Sequence, residues 1–418
     1  MNILRGILGL AGFILIAWLF SERKRLFPWR DVLVGVVLQL AIALLFLKFP
    51  GSQFVIHKLN ALINIVSEAT VEGTGFVFGY LSGADVPFQV ADGATLSPIF
   101  FFQTLSMIIV YGSIFALLFH WRILQHVIGG VAFLLRKTLR IDGPTGTSVA
   151  STIFLGSTEC LLIIKPYVPK ISRTGLFCIM TAGLTTITGT LMAVYAQMLD
   201  PLLPGLVIGH LLVASFISAP AAVLIARVMI PETEDPLAQS QPIRIPSPYT
   251  SCLDAITEGA SSGAKIAISI AILLVAFLAL THIADHLLGK LPDFAGTPLS
   301  LARIFSWLFA PVLWLAGMPW DEAIRAGDLM ALKTVFNEFV AYVKLAQLPP
   351  DTFTEHSRLI LIYALCGFAN FSSLGIVIGG ISSISPERRG DVIALSMRSL
   401  LSATIATLMT GTVIGIIC

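Results

Sequence analysis

Apolar residues run along this chain in stretches too long for the helices of a soluble domain, and the polar positions that interrupt them gather at a few places. A helix needs about 20 mostly apolar residues to cross a bilayer. Eight segments come near that length once their ends are extended by a turn: Gly6 to Phe20, Val32 to Leu47, Ile99 to Phe119, Phe177 to Leu199, Leu202 to Ile230, Ile266 to Thr281, Leu359 to Ile381 and Val392 to Ile417. The pattern predicts an all-α integral membrane protein with eight transmembrane helices. Between the second and third segments, Ile56, Leu59, Ile63 and Val66 recur at helical spacing beside His57, Lys58, Asn60 and Glu68. That spacing predicts a helix lying along the membrane interface.

Two further apolar stretches are too short or too interrupted to cross. Ile153 to Ile164 is broken at its centre by Gly156, Ser157, Thr158 and Glu159. Ile304 to Leu345 is broken by Pro311, Pro319 and the polar run Lys333, Thr334, Asn337, Glu338. Each reads as a re-entrant hairpin that enters the membrane and turns back. Each also precedes a span with polar residues at mid-length, Thr185 to Thr190 in the first case and Gly367 to Ser373 in the second.

Basic residues set the orientation, because Lys and Arg in short loops stay cytoplasmic. Arg23, Lys24, Arg25 and Arg30 follow the first segment, where a cleaved signal peptide would carry small residues, so that segment reads as a retained span. The third span then returns the chain to the cytoplasm, where Arg122, Arg136, Lys137, Arg140, Lys165, Lys170 and Arg173 follow, and Arg388 and Arg389 also fall inside. Both termini are expected outside, in the periplasm beyond a cell inner membrane. The first hairpin would open to the cytoplasm and the second to the outside. The expected domains are therefore a scaffold with an interfacial helix over 1–140, a first hairpin with two spans over 141–230, and a cytoplasmic linker over 231–262. A scaffold span with its connection over 263–303 and a second hairpin with two spans over 304–418 complete the chain. Such an inverted repeat is the pattern of transporters that bind their solute at mid-membrane between broken helices.

Composition agrees and narrows the chemistry. With 56% hydrophobic and 12% charged residues and a mean hydropathy of +0.89, a soluble protein is excluded. A net charge of +2 leaves no basic surface for a nucleic acid polymer. The five cysteines, odd in number and widely spaced, fit neither a disulfide framework nor a zinc cluster and read as small core residues. Gly73, Thr74, Gly75 and Gly79 follow no strand and make no dinucleotide loop, and His282 and His286 lack a third ligand. No cofactor is expected, and a membrane-embedded hydrolase would lack both nucleophile and metal.

A carboxylate at mid-membrane costs roughly 2.5 to 3.5 kcal/mol on insertion scales, so Glu159 and Glu338 need explaining. Each either satisfies a helix end or pairs with a lysine such as Lys165 or Lys333, or accepts hydrogen bonds from an uncharged ligand rich in donors. Phe368 is either core or an apolar face for a flat ring, with Asn370 and Ser373 binding hydroxyls. The threonines after the first hairpin either bond back to their own helix or, with Thr152, supply oxygens to a small cation.

The stretches EGTGFVFG (Glu72 to Gly79), GSTE (Gly156 to Glu159), KPYVPK (Lys165 to Lys170), MIPETE (Met229 to Glu234), PWDEA (Pro319 to Ala323), KTVFNEFVAY (Lys333 to Tyr342) and CGFANFSS (Cys366 to Ser373) resemble the concentrative nucleoside transporters over nearly the whole chain. The resemblance implies a homotrimer whose transport domains move like elevators against a fixed scaffold. It implies that Thr158 and Glu159 contact the nucleobase, partly through water. Glu338, Asn370 and Ser373 would hold ribose hydroxyls while Phe368 packs on the ligand. Two positions depart from the family: Ser157 stands where Gln is usual, which affects base preference. Thr152 stands where sodium-coupled members carry Asn. If Na+ is the coupling ion, Thr152 and Thr186 with the backbone carbonyls of Leu155 and Ile187 would hold it; if H+, a carboxylate would change protonation. The expected function is a cation-coupled symporter importing nucleosides, with a passive facilitator of the same fold as the alternative.

Overall fold

A computed structural model describes residues 2–88, 98–233, 243, 245–292 and 298–418. Among the described residues the ordered elements are helical. The first part of the chain forms α1 (Asn2–Leu19), α2 (Trp29–Lys48), α3 (Pro50–Phe78), α4 (Met107–His120) and α5 (Ile123–Leu139), with a π-helical turn at Phe101–Leu105 leading into α4. There follow α6 (Gly143–Ser151), α7 (Ser157–Ile164), α8 (Arg173–Thr185), α9 (Gly189–Leu199), α10 (Val207–Met229), α11 (Cys252–Leu288) and α12 (Leu301–Leu315). The last five are α13 (Trp320–Val335), α14 (Glu338–Gln347), α15 (Glu355–Leu365), α16 (Phe371–Ile384) and α17 (Arg389–Ile417).

Six described helical stretches are long and apolar enough to cross a membrane: Trp29–Lys48, Phe101–His120, Arg173–Leu202, Val207–Met229, Cys252–Leu288 and Pro386–Ile417. The other two expected spans differ in kind. The first has a shorter apolar core, Leu4–Leu19, and the seventh is split into α15 and α16. The fourth is also broken, between α8 and α9, so polar residues at mid-span mark real interruptions of the helix. Ile304 to Leu345 is not one hairpin. Gly317, at φ +116°, and Pro319 stop the chain after α12, leaving α13 and α14 as the helical pair that turns at Phe336 and Asn337. The helix expected along the interface runs much further than its apolar repeat, as α3. Of the linker, residues 234–242 and residue 244 lie outside the described residues, and with them Glu234 and Asp235.

Two similar sets of elements build the centre. Each set has a helical pair (α6 with α7, α13 with α14), a broken helix (α8 with α9, α15 with α16) and one long helix (α10, α17). The long helices α10 and α17 pack on each other and on α8 and α15, and they are buried over most of their lengths. The outer arms are exchanged: α7 packs on α16, and α14 packs on α9. A charged side chain in this core is held through both terminal guanidinium nitrogens. Arg227 of α10 donates to Asp31 at 2.8 Å and to the carbonyls of Leu139 at 2.6 Å and Arg140 at 3.1 Å, so it ties α2 to the end of α5. Three cysteines are core residues as expected, but Cys252 and Cys418 are exposed because they sit at helix ends rather than inside apolar runs.

Outside this centre, α4 and α11 pack backbone against backbone. A Cβ on Gly259 would stand 2.6 Å from the Gly112 carbonyl oxygen, and one on Gly263 would stand 2.5 Å from that of Ile108. Small residues four apart permit this close approach. Gly259→Leu is expected to force the pair apart at a cost of about 1 to 3 kcal/mol, lowering the unfolding temperature in detergent by several degrees. An unchanged melting curve would show that the contact contributes nothing.

Candidate functional site

The broken helices and helical pairs bring four helix amino termini together, those of α7, α9, α14 and α16. Their first-turn N–H groups have no partner within the helix. Thr188 caps α9 by accepting from Leu191 N at 3.4 Å, Asn337 caps α14 by accepting from Val340 N at 3.0 Å, and Asn370 caps α16 by accepting from Ser373 N at 2.7 Å. The termini are tied to one another. The turn between α6 and α7 accepts from the start of α9, Gly189 N to Phe154 O at 3.0 Å. The two breaks also touch, since Gly367, at φ +143°, lies against the Thr185 carbonyl. Aligned N–H groups of this kind make the centre attractive to electron-rich groups.

Glu338, the first residue of α14, is the most enclosed carboxylate of the site at 3% exposure. Its Oε1 accepts from the Tyr195 hydroxyl at 2.7 Å, and its Oε2 accepts from Asn370 Nδ2 at 3.2 Å. Asn370 thus serves α16 with its oxygen and Glu338 with its nitrogen. Phe368, in the break before α16, and Ser373, in its first turn, are half-buried beside this pair. The sequence pattern brought Glu338, Asn370, Phe368 and Ser373 to notice but missed Tyr195. A tyrosine inside the apolar run of α9 looks like core, and its rings do pack, against Phe339 at 5.6 Å and Tyr342 at 4.9 Å. Only its hydroxyl distinguishes it. Tyr195→Phe is expected to leave Glu338 Oε1 without a donor and to weaken ligand binding about tenfold, a loss of the size of one hydrogen bond to a charged group. Equilibrium binding on the purified protein measures it.

Lys333 does not pair with Glu338. Its Nζ donates to the Ala364 carbonyl at 2.7 Å and to Thr407 Oγ1 at 3.0 Å. The lysine satisfies a helix end and leaves the carboxylate to Tyr195 and Asn370.

Glu159 lies elsewhere in the site. It occupies the first turn of α7, exposed, with its carboxylate folded over Gly156, where any Cβ would collide with it. It lines a cavity of about 370 Å³ together with Phe154, Leu155, Thr188, Tyr249 and Gly263. Glu338 is not among the residues lining that cavity. The two acids therefore face different spaces in this conformation, whereas the sequence suggested a shared one. Ser157 turns its hydroxyl to the Gly183 carbonyl at 2.9 Å. The Thr158 side chain lies outside the described residues.

The turn that carries Thr152 and Leu155 meets the break that carries Thr186 and Ile187 through the Phe154 to Gly189 bond. Here Thr152 Oγ1 donates to Val149 O at 2.8 Å and Thr186 Oγ1 donates to Ala182 O at 3.2 Å, each within its own helix. A hydroxyl that donates its proton in this way keeps its lone pairs available to a cation. Thr152 and Thr186 are buried, as is Ile187, while Leu155 reaches the cavity beside Glu159. Among the described residues no cluster of His, Cys, Asp and Glu forms a transition-metal site.

Known proteins with similar sequences cover the chain from end to end. The family described as "Na+ dependent nucleoside transporter N-terminus" matches residues 8–81, and its C-terminal counterpart matches residues 210–415. An uncharacterized transporter of Bacillus subtilis, YutK, is 34% identical over 99% of this chain and 99% of its own. The nucleoside permease NupC of Helicobacter pylori is 32% identical over 98% and 96%. The structure of CNTnw in an inward-facing substrate-bound state is 33% identical, covers 100% of this chain and 99% of its own, and superposes with a TM-score of 0.88. These relatives are transporters and permeases, not enzymes, and the chain is an integral membrane protein of the same kind. With both halves of the family matched in order and the fold shared throughout, the chain belongs to the concentrative nucleoside transporter family.

Proposed function

We propose that this protein is a Na+-coupled symporter that imports nucleosides. The observation that carries the reading is the buried Glu338, held by Tyr195 and Asn370 where four helix amino termini meet. A carboxylate with an amide beside it suits vicinal hydroxyls, which donate to the first and accept from the second. Phe368 supplies an apolar face for the ring. In this reading Glu338, Asn370 and Ser373 hold the ribose, and Glu159, with Thr158 by resemblance, reads the base through the cavity at α7. Ser157, engaged with Gly183, leaves base discrimination largely to Glu159.

Na+ rather than H+ fits the family description and the oxygen ligands offered by Thr152, Leu155, Thr186 and Ile187. The hairpins are taken as re-entrant and of opposite orientation, with both termini outside the inner membrane, which agrees with the basic residues around α5 and α8. Alternating access follows as an elevator movement of the two repeats against α3, α4 and α11. The apolar residues Phe54, Val55, Leu62 and Phe76, exposed on α3, offer a face to lipid or to the other subunits of a homotrimer. Uptake of radiolabelled uridine and adenosine into proteoliposomes, under separate Na+ and H+ gradients, tests the function. Accumulation driven by Na+ is expected. Equilibration without accumulation would make the protein a passive facilitator, and failure of every nucleoside to enter or compete would refute the substrate.

A further inference from the structure

The two repeats differ in charge at one matched position. Thr152 follows α6 five residues before Ser157, the first residue of α7. Lys333 lies at the end of α13 five residues before Glu338, the first residue of α14. One hairpin therefore has a hydroxyl where the other has an ammonium.

Lys333 is fully buried, at 0% exposure. Its partner Ala364 lies in the last turn of α15, where carbonyls have no acceptor role inside the helix and the helix dipole favours positive charge. Its other partner, Thr407 of α17, packs its methyl group against Gly367 in the break that follows. Ile362 O, one turn end away, accepts from Tyr342 at 2.7 Å, so this helix end is closed by protein groups. Glu338, five residues on in the same hairpin, is buried as well. Near the end of α8 the side-chain donor is a hydroxyl instead: Ala182 O accepts from Thr186 Oγ1 at 3.2 Å.

We propose that Lys333 is a built-in cation, its ammonium taking in the second repeat the place that the coupling Na+ takes beside Thr152 and Thr186 in the first. The inference rests on the cation site of the proposed function. A carboxylate in the membrane interior needs a compensating charge. Glu338 has an amine built into its own hairpin, without a direct ion pair. The repeat that carries Glu159 has none at the matched position and must take its cation from solution. Only that repeat then responds to the ion gradient, and one Na+ accompanies each nucleoside.

The test is Na+-dependent uridine binding to the full-length protein, with Lys333→Thr, Lys333→Arg and Thr152→Val. The wild type and Lys333→Arg should show a hyperbolic dependence on Na+. Lys333→Thr opens a second cation site, so it should need at least about tenfold more Na+, with a dependence that becomes cooperative and is relieved by millimolar methylammonium. A folded Lys333→Thr protein with the wild-type Na+ curve, or with binding lost equally at all Na+ concentrations and not restored by methylammonium, would overturn the inference. The reversal potential of wild-type transport needs no variant: one Na+ per nucleoside is expected, and two would overturn the proposal even if Lys333→Thr does not fold. Thr152→Val keeps the two ideas separable. If it leaves the Na+ curve unchanged, the first-repeat cation site itself is wrong, whatever Lys333 does.

Discussion

Glu338→Gln is expected to lower nucleoside uptake by at least about a hundredfold while leaving the protein folded. The carboxylate accepts from two donors, the Tyr195 hydroxyl and Asn370 Nδ2, one on each oxygen. Glutamine keeps one acceptor and turns its amide nitrogen toward one of these donors. Two donors then face each other in a buried site, and a ribose hydroxyl loses the charged acceptor that gives its bond most of its strength. Hydrogen bonds to charged groups contribute about 1.5 to 3 kcal/mol each, so the loss of one and the disturbance of another account for the size of the effect. Uptake measured beside the thermal unfolding curve separates the outcomes. Wild-type uptake would make Glu338 a structural acceptor, and loss of folding would make it part of the core.

Gly367→Ala should remove transport and destabilise the fold. At φ +143° the backbone occupies a region open almost solely to glycine, and adopting it with a side chain costs of the order of 1 to 3 kcal/mol. Sterics add to this. A Cβ would stand 2.5 Å from the Thr185 carbonyl oxygen and 2.9 Å from Thr407 Cγ2, so the two broken helices would have to separate at the point where they meet. Both the Lys333 anchor on Thr407 and the cap at Asn370 lie within reach of that movement. Lower yield, a lower unfolding temperature and no detectable uptake are expected. Near-wild-type behaviour would mean that the breaks need not touch.

Much of this architecture could be read from the chain. Polar runs at Thr185 to Thr190 and Gly367 to Ser373 announced breaks because no helix holds so many small and hydroxylated residues at mid-membrane without using them. Glu338 and Asn370 were legible for the same reason, and they meet. What escaped were contacts whose second partner is backbone or a residue of ambiguous type. The acceptor of Lys333 is a carbonyl, invisible in a list of side chains, and a carboxylate seemed the natural partner. Tyr195 belongs equally to an aromatic cluster. Ser157 engages another carbonyl, that of Gly183, which no spacing reveals. The separate setting of Glu159 was also beyond the pattern, because hydropathy places a residue in depth but not around the axis of a hairpin. After α12, Gly317 and Pro319 end one helix and begin a separate pair, where the sequence pattern shows Pro319 as an interruption but predicts one hairpin over the whole stretch.

The most direct measurement is an experimental structure of the protein with uridine and Na+ bound. Ribose hydroxyls are expected within hydrogen-bonding distance of Glu338 and Asn370, with the base directed toward the first turn of α7. A nucleoside bound away from both residues, or a Glu338 still closed by Tyr195 and Asn370 with the ligand elsewhere, would contradict it.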